Sequence, residues 1–300
     1  SFLGSHPMHS LHFDELQPDK SSNWLNISVN DFQSFLPLAD KETKAASSPS
    51  KERAIFKLYS LGVSTNRDEW VLDHDANALQ KKIEYFLNVY KSQRGKSENF
   101  DSQIKWSETL KRKASNRDNE IFSKDQIIRE SYRPFVSKHI YASKLLIDRP
   151  GTMHRLVYAQ GAICITGPGA SKPFHALATP APFGLDFLEK TYGFSAEVMS
   201  GKTTIDNITD WALEEFALHY KMAGQLPGIT KKSIFHYCYA VLYNPAYREK
   251  YAQNLKREFP RIPFYKDFWQ WAAWGKALMA LHIGHEQVEP FPLTRTDTPD

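Results

Sequence analysis

Apolar residues recur at helical spacing in several parts of the chain. Leu79, Ile83, Phe86 and Tyr90 are separated by three or four positions, which predicts an amphipathic helix over residues 78–93. A polar segment follows, and KWSETLKRKASNRD is typical of a short basic helix. The first part of the chain is therefore expected to be largely helical.

The last third of the chain repeats the helical pattern. ITDWALEEFALHY follows a cap at Thr209 or Asp210, and TKKSIFHYCYAVLYN follows a cap at Thr230 or Ser233. Two further helices are predicted, one over about 246–258 and one within YKDFWQWAAWGKALMALHIG. The large aromatic residues expected in the core are Trp211, Phe235, Trp269 and Trp274.

The middle of the chain has a different pattern. HIYASKLLI, RLVYAQGAICIT and HALATPAPFGLDFL are rich in β-branched and aromatic residues and are punctuated by Gly and Pro, which favours short strands. The predicted fold class is α+β, with a β-rich central segment flanked by helical N-terminal and C-terminal parts. The expected divisions are residues 1–10 (a cloning remnant or linker), 11–125, 126–200 and 201–300.

Composition excludes several classes of protein. Hydrophobic residues make up 41% and charged residues 24% of the 300 positions, which is ordinary for a globular protein. No apolar run reaches the length of about 18 residues that a transmembrane helix needs, so no membrane partner is expected. Cys164 and Cys238 stand alone in apolar surroundings, which indicates buried thiols in a reducing, cytoplasmic setting.

The net charge of +4 is concentrated in one stretch. Residues 101–155 hold 12 Lys or Arg against 7 Asp or Glu, whereas the rest of the chain holds 26 against 27. Such a stretch can follow a phosphate backbone, and it can equally be a solvated basic face. Charge alone leaves both interpretations open.

NPAY at residues 244–247 resembles the Asn-Pro-Pro-Tyr motif with which adenine-N6 methyltransferases hold a flipped base. That motif needs an irregular loop after a strand of a parallel sheet. Here Asn244 closes a strongly periodic helix, and Pro245 falls in the first turn of the next, where proline is favoured. The pattern predicts a corner between two helices.

Other short motifs also lack the spacing that catalysis requires. GPGASKP at residues 167–173 has Ser171-Lys172 followed by a proline, so a Walker loop is excluded. A plain turn and a turn that contacts a nucleic-acid phosphate both remain open. HIGHE does not fit a zinc-hydrolase motif, and the histidines and cysteines form no metal-ligand pattern. We expect no catalytic and no metal-binding residues.

One segment, SYRPFVSKHIYASKLLIDRPGTMHR, interleaves basic and aromatic residues on predicted strands. This composition is typical of a nucleic-acid-facing surface, on which arginine can read guanine and lysine contacts phosphates. Strands with outward charges and inward aromatic rings would have the same composition. The segment supports nucleic-acid binding without requiring it.

Several segments taken together resemble the C-terminal part of Type ISP restriction–modification enzymes, a family often described as DEAD/DEAH-box helicases. In family order they are PDKSSNWLN, IFKLYSLGVSTNRDEWV, SYRPFVSKHIY, LIDRPG, GPGASKPFHALAT, ITDWALEEF, IFHYCYAVLYNPAYREKYAQNLKREFPRIPF and LHIGHEQVEPFPL. They cover nearly the whole chain after residue 10. The family usually continues Tyr-Arg-Pro-Phe with Asp or Cys, whereas this chain has Val136, so a role tied to that aspartate is in doubt.

The resemblance implies a DNA target-recognition domain beside an upstream adenine-N6 methyltransferase, with a translocase and a nuclease in the same polypeptide. S-adenosylmethionine, ATP and magnesium would then serve those other parts, and this segment would hold no cofactor and catalyse nothing itself. The alternative is a module that docks the methyltransferase to the helicase motor and touches little DNA. The residues expected at double-stranded DNA are Arg67, Lys105, Lys111, Arg112, Arg133, Lys138, His139, Arg149, Arg155 and Lys172.

Overall fold

The structure, a computed structural model, describes residues 12, 17–18, 22, 24, 30–224, 228–294 and 296. The helices are α1 (Lys41–Ala45), α2 (Asp68–Val71), α3 (Ala76–Ser92), α4 (Glu108–Ser115), α5 (Asp210–Met222), α6 (Lys231–Tyr243), α7 (Pro245–Lys250), α8 (Ala252–Arg257) and α9 (Phe268–Ile283). The strands are β1 (Leu36–Pro37), β2 (Ser60–Leu61), β3 (Leu72–Asp73), β4 (Ile127–Arg133), β5 (Val136–Tyr141), β6 (Leu156–Ile165), β7 (Ala176–Thr179), β8 (Tyr192–Ser200), β9 (Thr203–Asp206) and β10 (Arg261–Ile262).

An antiparallel sheet occupies the centre of the molecule. Its strands run in the order β2-β8-β6-β7, and β9 pairs with β8. Successive side chains of a strand point to opposite faces. Accordingly, Ile163 and Ile165 pack into one hydrophobic core, while Cys164 between them packs into a second core on the other face. The sheet therefore separates two apolar clusters.

The C-terminal helices cover one face of this sheet. Helices α6 and α9 cross closely, because Gly275 lies against α6: a Cβ there would be 1.8 Å from the carbonyl oxygen of His236. Helix α6 begins with a capping box between Thr230 and Ser233, and Thr209 caps α5. These caps agree with the sequence patterns.

The second core lies beneath a small sheet. Strands β3, β5 and β4 are antiparallel in that order, and α3 and α4 contribute apolar side chains from the same side of the molecule. The neighbouring strands β4 and β5 form a hairpin. The hairpin thus packs on this core through Ile127, Ile140 and Tyr141, while residues 134–136 at its tip are exposed.

The predicted α+β class is confirmed, with the β-rich region between two helical parts. The helix predicted over 78–93 spans Ala76–Ser92. The helix predicted over 246–258 is divided in two at Tyr251. Core placement of Trp269 and Trp274 was wrong, since they are 39% and 54% exposed on α9.

The divisions expected at residues 125 and 200 stay predictions, and residues 1–10 lie outside the described part of the chain. Both cysteines are buried and free, as their surroundings predicted. Within the described residues, no helix combines the length and the apolar character needed to span a membrane. The cytoplasmic location stays a prediction.

The NPAY segment is a helix–helix corner, as its spacing predicted. The backbone N–H of Asn244 donates to the carbonyl oxygen of Ala240 and so ends α6. Its side-chain oxygen accepts from the backbone N–H of Ala246 at 2.9 Å and so begins α7. One asparagine therefore caps two helices, with Pro245 in the first turn of the second.

Candidate nucleic-acid interface

The hairpin of β4 and β5 carries basic and aromatic side chains to its tip. Arg133 pairs with Val136 across the turn, and the strand register is irregular between Ser131 and Arg133. Phe135 has a φ of 60°, an unusual backbone conformation for a bulky residue. Its ring is 51% exposed and lies 5.0 Å from the ring of His285. The tip is thereby held against the end of α9.

We call Tyr132, Arg133 and Lys138 the hairpin cluster. The Arg133 guanidinium carbon and the Lys138 ammonium each lie 4.0 Å from the centroid of the Tyr132 ring. A cation–π contact at an exposed site contributes about 0.5–1 kcal/mol. Among the described residues, neither cation is in an ion pair. The ring therefore orients two charges that form no ion pair within the described part of the chain.

Arg133 lines three separate cavities. The acidic cleft, a cavity of about 370 Å³, lies on the side of Glu130 and Lys105. The turn cavity, of about 610 Å³, lies on the side of Lys172. A third cavity of about 300 Å³ separates the hairpin from the end of α9 and is lined by Arg129. One guanidinium can therefore contact a ligand seated at any of the three.

Glu130 is the buried acid of the acidic cleft. Its side chain is 1% exposed, and its Oε2 has no hydrogen-bond partner among the described residues. Burial, with a smaller contribution from the charge of Asp68, raises the pKa of Glu130 to about 8. The carboxyl group is thus mainly protonated at neutral pH, so it adds little negative charge beneath the hairpin cluster.

The turn at residues 167–173 is shaped by an acid of its own chain. Glu189 accepts hydrogen bonds from the backbone N–H groups of Ser171 and Lys172 at 2.8 and 2.9 Å. These hydrogen bonds lower the pKa of Glu189. Because a carboxylate already occupies these amides, phosphate contact through them is not supported, and only the exposed Lys172 side chain remains for that role.

Arg67 does not lie at a surface, and the expectation that it contacts DNA is corrected. Its side chain is 0% exposed and forms an ion pair with Asp148 at 3.1 Å. The guanidinium also donates to Ser107 Oγ at 2.6 Å and to the carbonyl oxygen of Leu146. Burial lowers the pKa of Arg67, and Asp148 opposes that effect. Arg67 is a structural cation.

Three other cations of the basic stretch, Lys105, Lys111 and Arg112, lie at different places on the surface. Lys105 lines the acidic cleft and lies 3.4 Å from the exposed Glu69. On α4, Lys111 pairs with Glu108 at 2.7 Å, whereas Arg112 is exposed. Exposed ion pairs contribute little stability and exchange readily with other anions. Lys105 is the one of these three that the fold places beside Arg133.

His139, Arg149 and Arg155 lie away from the hairpin tip. His139 is held through its Nδ1 at 3.1 Å from the carbonyl oxygen of His74. Arg149 is exposed, and its backbone pairs with Ser64. Arg155 donates to a carbonyl oxygen in β8. The structure therefore unites Lys105, Arg133, Lys138 and Lys172, but it does not gather the whole set.

Arg248 also lies at the turn cavity, and the sequence patterns did not predict it as a DNA contact. It lines the turn cavity with Arg133 and Lys172, although 76 or more residues separate it from each in the chain. Only the folded chain shows this proximity. In the described part of the chain, no group of three or more His, Cys, Asp or Glu is arranged to hold a metal ion.

Residues 54–300 match the family described as the Type ISP C-terminal specificity domain. No curated protein matches the chain. Among solved structures, the cryoEM structure of a DrdV–DNA complex is similar with a TM-score of 0.88 and 43% sequence identity, over 99% of this chain and 30% of that one.

Two further solved structures share the fold at lower identity. One is a nuclease-deletion mutant of the Type ISP restriction-modification enzyme LlaGI in complex with a DNA substrate mimic, with a TM-score of 0.73, 23% identity, and coverage of 93% of this chain and 22% of that one. The other is the ATP-dependent Type ISP enzyme LlaBIII bound to DNA, with a TM-score of 0.79, 20% identity and coverage of 93% and 18%. The chain thus spans less than a third of each.

Proposed function

Because this chain belongs to the Type ISP C-terminal specificity domain family, we propose that it recognises a target sequence in double-stranded DNA for a restriction–modification enzyme. The similar solved structures are complexes with DNA or with a DNA substrate mimic, which supports this partner. The observation that carries the proposal is the position of Arg133, where three cavities meet on an exposed hairpin.

The hairpin cluster supplies the chemistry of recognition. Arg133 is oriented by the Tyr132 ring and donates through Nη1 to the carbonyl oxygen of Tyr132 at 2.8 Å, which leaves Nε and Nη2 to bind guanine O6 and N7 in the major groove. Lys138, Lys105 and Lys172 surround it as point charges suited to phosphates, which fix the register of the duplex. Because burial raises the pKa of Glu130 to about 8, this acid adds little negative charge to the region. Base reading and backbone positioning would therefore be separate tasks of neighbouring side chains.

The chemistry on DNA would belong to other parts of the polypeptide. An upstream adenine-N6 methyltransferase would modify the site, and a translocase and nuclease would act on unmodified DNA. S-adenosylmethionine, ATP and magnesium would be the cofactors of those parts. The domain would direct them by holding the duplex in register.

A binding titration with charge reversal tests the DNA contact. Duplex DNA is titrated at low and moderate salt with the unchanged chain, with Arg133→Glu and with Lys221→Glu, which reverses an exposed charge on α5. We expect affinity to fall steeply with salt, because each phosphate contact releases a counterion. Arg133→Glu should weaken binding at least tenfold and the control should not. Absence of affinity at both salt concentrations would contradict the proposal.

A docking function is the second candidate, because α6 and α9 form an apolar groove. Trp271, Trp274, Leu278 and Leu281 line this groove beside Tyr243. Such exposed aromatic surface is typical of protein interfaces. If the chain only couples a methyltransferase to its motor, Arg133→Glu should leave DNA retention in the full polypeptide unchanged. Trp274→Glu should then separate the parts.

A further inference from the structure

The turn cavity brings together three cations from three separate elements. Arg133 comes from the hairpin, Lys172 from the turn at 167–173, and Arg248 from α7. Phe174 and Phe187 supply apolar wall on the same cavity. Its volume of about 610 Å³ is sufficient for a phosphodiester with its neighbouring sugar. Three cationic side chains around one concave site are suited to the oxygens of a phosphate.

Contacts within the chain position the side chain of Arg248. Its Nη1 donates to His175 Nδ1 at 2.7 Å, and its guanidinium carbon lies 5.2 Å from the centroid of the Tyr243 ring. His175 Nδ1 also accepts from the backbone N–H of Ala176 at 2.9 Å. A ring nitrogen that accepts hydrogen bonds carries no proton, so His175 is neutral. It therefore adds no second positive charge beside the Arg248 guanidinium.

Two acids, Asp186 and Glu189, line the cavity together with the three cations. Glu189 accepts hydrogen bonds from the amides of the 167–173 turn, and Asp186 is exposed. Across the described residues, no carboxylate lies within ion-pair distance of Arg133, Lys172 or Arg248. The site therefore carries a surplus positive charge.

We propose that Lys172 and Arg248 together bind one backbone phosphate of duplex DNA beside Arg133, with His175 as the positioning residue for Arg248. This inference rests on the proposed function and adds to it a phosphate site formed by the 167–173 turn and α7 next to the hairpin. A phosphate bound there would fix the hairpin tip relative to the duplex. Arg133 would then enter the major groove at one defined position along the base pairs. Arg248 would contribute affinity without discriminating between bases.

The test measures the salt dependence of DNA binding by fluorescence anisotropy. A random-sequence duplex is titrated with the unchanged chain, Arg248→Gln, Arg248→Lys and the control Lys221→Gln at several salt concentrations. Loss of one phosphate contact should reduce the slope of log affinity against log salt by about one. We expect Arg248→Gln to show that reduction with about tenfold weaker binding in low salt. Arg248→Lys should keep the slope, and Lys221→Gln should change nothing.

Two further measurements identify the ligand and the role of His175. Inorganic phosphate at matched ionic strength should compete no better than sulfate if the site requires a phosphodiester within DNA. Selective competition would show a site for free phosphate instead and overturn the inference. His175→Ala alone should weaken DNA binding. Added to Arg248→Gln, it should cause no further loss, because a positioning effect needs the side chain that it positions.

The outcomes separate this inference from the proposed function. If the unchanged chain shows no salt-dependent DNA binding, the proposed function fails. If the unchanged chain binds DNA but Arg248→Gln and Lys221→Gln have the same slope of log affinity against log salt, the phosphate site alone is overturned. If His175→Ala weakens binding equally in both backgrounds, the positioning role is overturned. Thermal unfolding of each variant shows that the compared chains are folded.

Discussion

Two arginines expected to contact DNA occupy opposite environments. Arg67 is buried and shares hydrogen bonds with Asp148, Ser107 and a backbone carbonyl group. Arg133 lies on an exposed hairpin, where it contacts the Tyr132 ring near Lys138 and donates one hydrogen bond to the carbonyl oxygen of Tyr132. The difference is the presence of a carboxylate supplied by a distant part of the chain. A guanidinium whose charge is already paired stabilises the fold, whereas one held by a ring remains available to a ligand.

The largest effect that this comparison predicts is on stability. Arg67→Ala should lower the free energy of unfolding by about 3–5 kcal/mol, because it leaves Asp148 partly buried without its cation. Chemical denaturation measures this change, with Arg112→Ala as the exposed control. The folded fraction should bind DNA normally. A stable Arg67→Ala chain that had lost DNA binding would reverse the assignment of Arg67.

The next effect concerns Glu130 and depends on pH. Its carboxyl group titrates near 4.5 when unfolded and near 8 when folded, so the folded state binds more protons between these values. Stability should therefore fall as pH rises from about 4.5 to 8 and level off above. Glu130→Gln stays neutral, so it should become more stable than the unchanged chain by about 1–3 kcal/mol toward pH 8.

Unfolding curves at several pH values measure the Glu130 effect. Glu214→Gln, an exposed position on α5, serves as the control and should follow the unchanged chain. If the stability of Glu130→Gln ran parallel to that of the unchanged chain across the whole range, Glu130 would not be a protonated acid beneath the hairpin.

The smallest effect concerns the ring that orients the two cations. Tyr132→Leu should weaken DNA binding two- to fivefold, since a cation–π contact contributes about 0.5–1 kcal/mol. The salt dependence should stay the same because no charge is removed. A titration alongside Tyr85→Leu, which alters an exposed tyrosine on α3, measures it. A reduced salt slope for Tyr132→Leu would mean that the ring is needed to keep the charges in place.

Local patterns predicted the fold well where one element contains its own signals. The caps at Thr209 and Thr230 and the periodic apolar face of α3 lie within a few residues of the helices that they define. The exposed Trp269 and Trp274 were placed wrongly because hydrophobicity predicts burial only where another element covers the side chain. That depends on tertiary packing.

The candidate site was only partly predictable, for the same reason. Tyr132, Arg133 and Lys138 are close in sequence on paired strands, so their proximity follows from a hairpin. The ion pair of Arg67 joins positions 81 residues apart. Arg248 and Lys172 line one cavity only in the folded chain, where Arg248 also contacts His175. Composition counts cations but does not show which acids the folded chain places beside them.

The hydrogen bonds of Glu189 to the 167–173 turn have a consequence for exchanging parts between related proteins. The turn and this glutamate are separated in sequence, yet hydrogen bonds within the chain join them into one unit. A chimera that imports a new loop at 167–173 while replacing Glu189 would lose the carboxylate that holds two backbone amides of the turn. Grafts should therefore move both segments together, and a graft of the loop alone should lose the position of Lys172.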